Sequence, residues 1–241
     1  MAEYKLGIFS RTRFTRLFIS LFVGLGFLSF EAVASEVPVA KDTVFHPTAS
    51  LAFLKMPATT LELLARPMRE DMLAYLEHDS IYQVPNALEG LSYFNPPVTD
   101  DFLQVQVTPV TKFTIRMLPG KKTPVVATAY TVGDSTQARD TQLQFFTPDM
   151  KEIKLEKVIK IASTKDFLDT KGLSRDDRDR LLFMIPFPTV EYIFSPDGTD
   201  LKARLTAGEF LSKEVNEKIK PYLRRERVYR WDGSHYKLVD D

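Results

Sequence analysis

The chain predicts an α+β fold. The expected first unit has two layers, with helices packed on an antiparallel meander in helix-helix-four-strand order, and a second, smaller α+β half follows it. Three observations carry this expectation. Four runs alternate apolar and polar residues with a period of two, over Phe102–Val107, Lys112–Leu118, Pro124–Val132 and Thr141–Thr147. Turn-forming stretches separate them, namely Thr108-Pro109, Pro119-Gly120-Lys121-Lys122 and Gly133-Asp134-Ser135. Connections this short join neighbouring antiparallel strands. Upstream, apolar residues recur at helical spacing instead. Phe113, Ile115 and Met117 alternate with Lys112, Thr114 and Arg116, and Leu143 and Phe145 with Gln142 and Gln144. One face of the meander is therefore expected to be buried and the other wet.

Residues 1–34 read as a signal peptide outside the fold. Lys5, Arg11, Arg13 and Arg16 form a positive start, Leu17–Phe30 is an apolar run of 14 residues, and Ala32-Val33-Ala34 supplies small residues at a cleavage site. The apolar run is shorter than the roughly 20 residues a spanning helix needs, which favours cleavage after Ala34 over a retained inner-membrane anchor. No membrane span is then expected in what remains. Residues 35–50, with Pro38 and Pro47 and no periodicity, form a flexible lead-in.

The first α+β unit is expected over residues 51–150. Leu51–Met56 is a short apolar run that suits either an edge strand or a helical turn. Thr59 and Thr60 can cap a short helix carrying Leu61, Leu64 and Ala65, and Pro67 breaks it. A second helix near Met68–Glu77 would bury Met68, Met72, Tyr75 and Leu76. Tyr82–Pro97, with three prolines and Gly90, reads as a loop leading to the first strand.

Residues 151–241 form the second α+β unit, possible as a separate domain or as part of the same core. Lys151–Ile161 is ambiguous between strand and helix. Ser174-Arg175-Asp176-Asp177 is a helix start, with Leu181, Leu182 and Ile185 as the buried face and Pro186 and Pro188 as the stop. Val190–Ser195 and Leu201–Leu205 flank a hairpin turn at Pro196–Asp200. Ser212 opens another short helix with Val215 and Ile219. Two last strands, Arg227–Trp231 and His235–Val239, meet at Asp232-Gly233-Ser234.

Phe53-Leu54-Lys55-Met56-Pro57, Leu63-Leu64 and Arg69-Glu70-Asp71-Met72 resemble the opening of a family of exported proteins of unknown function from Bacteroidales. The resemblance continues through Phe102–Val107, Arg116-Met117-Leu118-Pro119 and Phe145-Phe146-Thr147 to Pro221–Arg225 and Val228–Trp231. Met150 departs from the family, which often carries Trp there. The resemblance implies an exported α+β protein and supplies no activity or catalytic residue. The helix-helix-four-strand order is also similar to small periplasmic inhibitor-like binding folds, a likeness of fold and not of function.

Composition narrows the chemistry. The 241 residues carry 32 basic and 32 acidic side chains and no cysteine. Loss of residues 1–34 would remove a net +2 and leave −2. That balance argues against a nucleic-acid binder, and the lack of cysteine excludes disulfides, thiolate catalysis and cysteine-zinc sites. His46, His78 and His235 have no ligand spacing between them, so no metal and no cofactor is expected. Asp197-Gly198-Thr199-Asp200 lacks the ligand ladder of a calcium loop and reads as a plain turn. No nucleophile elbow, phosphate loop or dinucleotide fingerprint is present.

One stretch stands apart chemically. From Tyr222 to Trp231, arginines sit beside aromatics, a composition enriched where proteins meet partners or clamp anions. Arg224, Arg225, Arg227, Tyr229, Arg230 and Trp231 are the candidate binding residues. In a strand, Arg227, Tyr229 and Trp231 would point one way and Val228 and Arg230 the other. The competing reading is that the aromatics pack inward while the arginines reach for water. The expectation is thus an exported, periplasmic or extracellular, non-enzymatic binding or scaffolding protein that contacts a protein or cell-envelope component. The alternative is a hydrolase whose carboxylates converge from separate strands.

Overall fold

A computed structural model describes residues 48–76, 82–134 and 138–239. The signal-peptide segment, most of the lead-in, His46 and His78 lie outside the described residues. Among these residues there are four α-helices and two antiparallel sheets, of seven and four strands, so the class is α+β.

The meander is present with its ends shifted by a residue: β3 Phe102–Thr108, β4 Thr111–Leu118, β5 Val125–Val132 and β6 Asp140–Phe146 pair in chain order. The expected four strands are the middle of a larger sheet. Before them come β1 Val84–Pro85 and β2 Leu91–Asn95, and after them β7 Glu152–Ile153. Tyr82–Pro97 is therefore not a loop. Asn86 organises its turn: the side-chain oxygen accepts from the N–H of Leu88 and Gly90, and the amide donates to Val107 O at 2.7 Å. Pro85 fits because β1 is an edge strand, where a missing N–H costs no ladder bond.

The helices also differ from expectation. α1 spans Ala49–Lys55, with Thr48 Oγ1 accepting from Leu51 N at 3.2 Å. The helix expected after Thr60 is instead a series of turns that bury Leu61 and Leu64. Too few residues separate Thr60 from α2 to repay helix nucleation. α2 runs Arg66–Leu76, so Pro67 lies in its first turn, where no backbone donor is lost. Its inner face includes Arg69 and Met72, whereas Tyr75 is exposed and stacks on Tyr82 at 4.0 Å.

Both faces of the large sheet are covered. Ile115 pairs with Thr128, which pairs with Gln144, and Ala127 pairs with Phe145, so residues on adjacent strands can be assigned to faces. Phe113, Ile115 and Met117 lie under α1 and the turns that follow it. Leu143 and Phe145 lie on the opposite face, against the second sheet. The apolar side switches between β5 and β6, which replaces the expected single buried face. Each buried Phe on this strand adds about 2–3 kcal/mol to the drive for the layers to close.

The second sheet has the order β11-β10-β9-β8, from β8 Val190–Phe194, β9 Leu201–Leu205, β10 Glu226–Trp231 and β11 Tyr236–Leu238. Its edge strand β8 is sealed by the large sheet: Val190 N donates to Asp140 Oδ1 at 3.2 Å and Tyr192 N to Thr141 Oγ1 at 3.1 Å. Side chains thus occupy donors that would otherwise invite a further strand. α3 Arg175–Phe183 and α4 Lys213–Ile219 begin at Ser174 and Ser212, and each serine hydroxyl accepts from the backbone N–H three residues on. Lys151–Ile161 resolves into β7, a 3-10 turn at Leu155–Lys157 and a parallel bridge from Ile159 to Tyr236. Residues on both sides of Met150 share one core between the sheets, and the described residues form one compact unit.

Candidate functional site

The Arg-aromatic stretch divides by strand alternation. Arg227, Tyr229 and Trp231 face the inter-sheet core and are buried, while Glu226, Val228 and Arg230 face outward. The buried polar tips rest on backbone carbonyls: Tyr229 Oη donates to Lys160 O at 3.1 Å and Trp231 Nε1 to Pro119 O at 2.7 Å. Arg227 Nη2 donates to Val239 O at 3.2 Å. These three side chains hold the fold, and no partner can reach them from solvent.

The other three remain at the surface. Arg224 Nη2 lies 3.0 Å from Asp169 Oδ2, and this hydrogen bond, with that from Lys171 N, holds the Asp169 carboxyl below its usual range. Arg224 so pins the segment before α3 to the entry of β10. Arg225 and Arg230 are exposed, and their side chains have no partner among the described residues.

Strand register shows what accompanies them. Arg230 pairs with Lys237, Val228 with Lys202, and Lys202 with Ile193. The outer face of the second sheet therefore has half-buried Ile193 and Val228 flanking Lys202, with Arg230 and Lys237 to one side. Arg204 and Glu191 form the next row, opposite Glu226. Lys202 pairs with Glu226 at 3.0 Å and Lys237 with Asp232 at 2.7 Å, and both pairs are open to water. Lys237 is the largest cause that drives the Asp232 carboxyl well below its ordinary value, followed by His235 N. Exposed pairs such as these hold their charges loosely.

Below Arg204 the charges are fixed. Glu191 is buried, touches Arg204 through Oε2, and lies 3.4 Å from Arg139 Nε; Arg139 also reaches Glu209 at 3.5 Å. Thr206 Oγ1 donates to Arg139 O, fastening β9 to the start of β6. Beside this network, a cleft of about 380 Å³ lies between β9 and α4, lined by Arg204, Lys220 and Arg225 and by Glu209, Asn216 and Glu217. Asn216 Nδ2 shapes its wall through bonds to Gly208 O at 2.8 Å and Leu211 O at 3.1 Å. The outer face and the cleft share Arg204.

Sequence reasoning found Arg225 and Arg230 but missed Ile193, Lys202, Arg204 and Lys237. Alternation within each strand puts these residues outward, but only the pairing of two separate hairpins places them beside Arg230. No group of three or more His, Cys, Asp or Glu residues among the described residues could hold a metal ion. Asp197 and Asp200 occupy the β8–β9 turn, where Ser195 N donates to Asp200 O at 3.3 Å. No helix among the described residues is long and apolar enough to cross a membrane.

The fold and this charged face define a two-sheet α+β protein with an open sheet surface. The chain belongs to the family described as "Protein of unknown function (DUF3256)", whose model matches residues 43–236. This agrees with the resemblance to a family of unknown function. A domain of an uncharacterized protein from Porphyromonas gingivalis W83 has a similar fold, with a TM-score of 0.68 and 19% sequence identity over 80% of this chain and 98% of that one. At that identity the likeness shows the fold alone. No curated protein matches this chain.

Proposed function

We propose that the protein is an exported, non-enzymatic binding or scaffolding protein that contacts an acidic partner, a protein or a cell-envelope component, through the outer face of its C-terminal sheet. The observation that carries this reading is exposed, unpartnered Arg230 on a face where Ile193 and Val228 supply apolar contact beside Lys202 and Lys237, with exposed, unpartnered Arg225 at the adjoining cleft. Apolar contact within a charged rim is the anatomy of protein interfaces, and arginine is enriched there. Buried Glu191 fixes Arg204 at one end of that surface, so part of the charge is pre-organised. A hydrolase built on two converging carboxylates predicts one acid with a raised pKa; among the described residues the carboxyls that are displaced, Asp169, Glu214 and Asp232, are all lowered.

The test is capture of envelope components by the intact protein and by an Arg225→Ala, Arg230→Ala double variant. The reading expects a stoichiometric companion with the first and its loss with the second at an unchanged melting temperature. Equal capture by both would remove this face from the account. Export rests on residues 1–34, and N-terminal sequencing of the protein from its native source decides it: a start at Ser35 supports export with cleavage, and a start at Met1 argues against cleavage.

A further inference from the structure

Arg69 belongs to the buried side of α2, with only 3% of its surface exposed. Its Nη1 donates to Phe53 O at 2.7 Å and to Met56 O at 2.8 Å, at the C-terminal end of α1, where Phe53 O also accepts from Met56 N. Its Nε is buried with no partner, and the side chain forms no ion pair with any described carboxylate. A guanidinium withdrawn from water with no counter-charge is costly to hold. Burial, then repulsion from Arg66, lowers its pKa against the opposing pull of Glu70. Arg116 is buried in a similar way, with its Nε unpartnered and its Nη1 on Pro196 O in the β8–β9 turn.

Arg69 differs because it opens onto a cavity. A space of about 430 Å³ lies among α1, α2 and the β6–β7 turn, lined by Lys55, Arg66, Arg69, Asp149 and Met150. With Leu54 and Met56 the lining numbers seven residues, of which three are cationic and one acidic. Met150 lines the cavity from the β6–β7 turn, where its φ of 59° is the left-handed conformation that closes a short hairpin loop. Its side chain packs against the core beneath α1 and so keeps the turn in that conformation.

We propose that this cavity binds a small oxyanion, a carboxylate or a phosphate group, set against Arg69 and flanked by Lys55 and Arg66. The site lies on the helix-covered side of the large sheet, so it stands or falls independently of the C-terminal face. The bland alternative is that Arg69 caps α1 and does nothing else.

NMR of the full chain separates the two, with the Arg69 Nε–H and the Met150 methyl as reporters. Inorganic phosphate and, separately, acetate are titrated at constant ionic strength, maintained with chloride. Saturable shifts at both reporters are expected, and the anion that saturates first identifies phosphate or carboxylate as the preferred group. Arg66→Gln and Asp149→Asn alter exposed side chains, so both variants fold. The first should weaken binding about fivefold and the second tighten it by a similar factor. Shifts that fail to saturate, that spread evenly over surface cations, or that ignore both substitutions would overturn the proposal.

Discussion

Trp231 Nε1 donates to Pro119 O over 2.7 Å, joining the last long strand to the turn between β4 and β5. The two residues are 112 positions apart, and the bond crosses from one sheet to the other. The Trp231 ring also packs on Tyr236 with centroids 5.0 Å apart. Replacing Trp231 with Phe would keep most of the packing and remove the bond to Pro119 O, a residue open to water, at a cost of about 1 kcal/mol. Trp231→Ala would cost about 3–5 kcal/mol. Urea denaturation of the three proteins measures both differences.

Glu191 predicts a second effect. Its carboxylate is buried between Arg139 and Arg204, so Glu191→Gln leaves two arginines facing each other without their shared acid. Because Arg204 is partly exposed, water recovers some of the loss, and destabilisation of about 2–3 kcal/mol is expected. A further Arg204→Met change should restore part of it, since the stranded charge is then gone. Thermal unfolding of the single and double variants checks the order.

The inter-sheet tyrosines predict behaviour at high pH. Burial is the first cause that raises the pKa values of Tyr192, Tyr229 and Tyr236, that of Tyr192 to about 12. The unfolded chain loses these protons near pH 10. The folded form thus binds more protons above that value, and its stability falls as pH rises from about 10 toward the folded pKa values. Tyrosinate absorbance should show these three ionising together with loss of the fold. Early ionisation of all tyrosines in a folded protein would show that the core admits water.

How much of this was legible in the sequence depends on which residues are considered. The four central strands, the serine-capped helices and both C-terminal hairpins follow from local alternation and turn chemistry, and local signals survive folding. The 82–97 segment was hidden because Pro85 and Gly90 mimic a loop, whereas an edge strand tolerates that proline. Leu143 and Phe145 alternate just as Phe113 and Ile115 do, and only strand pairing shows that the two sets face opposite ways. Nothing local marks Arg69 as buried, because its acceptors, Phe53 O and Met56 O, lie 16 and 13 residues away in sequence. At the candidate face, strand alternation already separated inward Arg227, Tyr229 and Trp231 from outward Arg230; adding Lys202, Arg204 and Lys237 required a register between hairpins.

Salt provides a further test of the proposed face. If exposed cations steer the partner, association should slow as ionic strength rises toward physiological values and beyond, where screening acts within about 8 Å. Stopped-flow or surface-binding kinetics with the captured companion would measure this. An on-rate indifferent to salt would assign recognition to Ile193 and Val228 alone.

The most direct test of the contact face is a lysine-reactivity footprint of the intact protein, free and bound to its native envelope material. The account predicts that Lys202 and Lys237, on the outer sheet face, lose reactivity on binding while exposed Lys151 and Lys171 keep theirs. Protection at Lys171 with none at Lys202 or Lys237 would contradict it and move the contact to another surface.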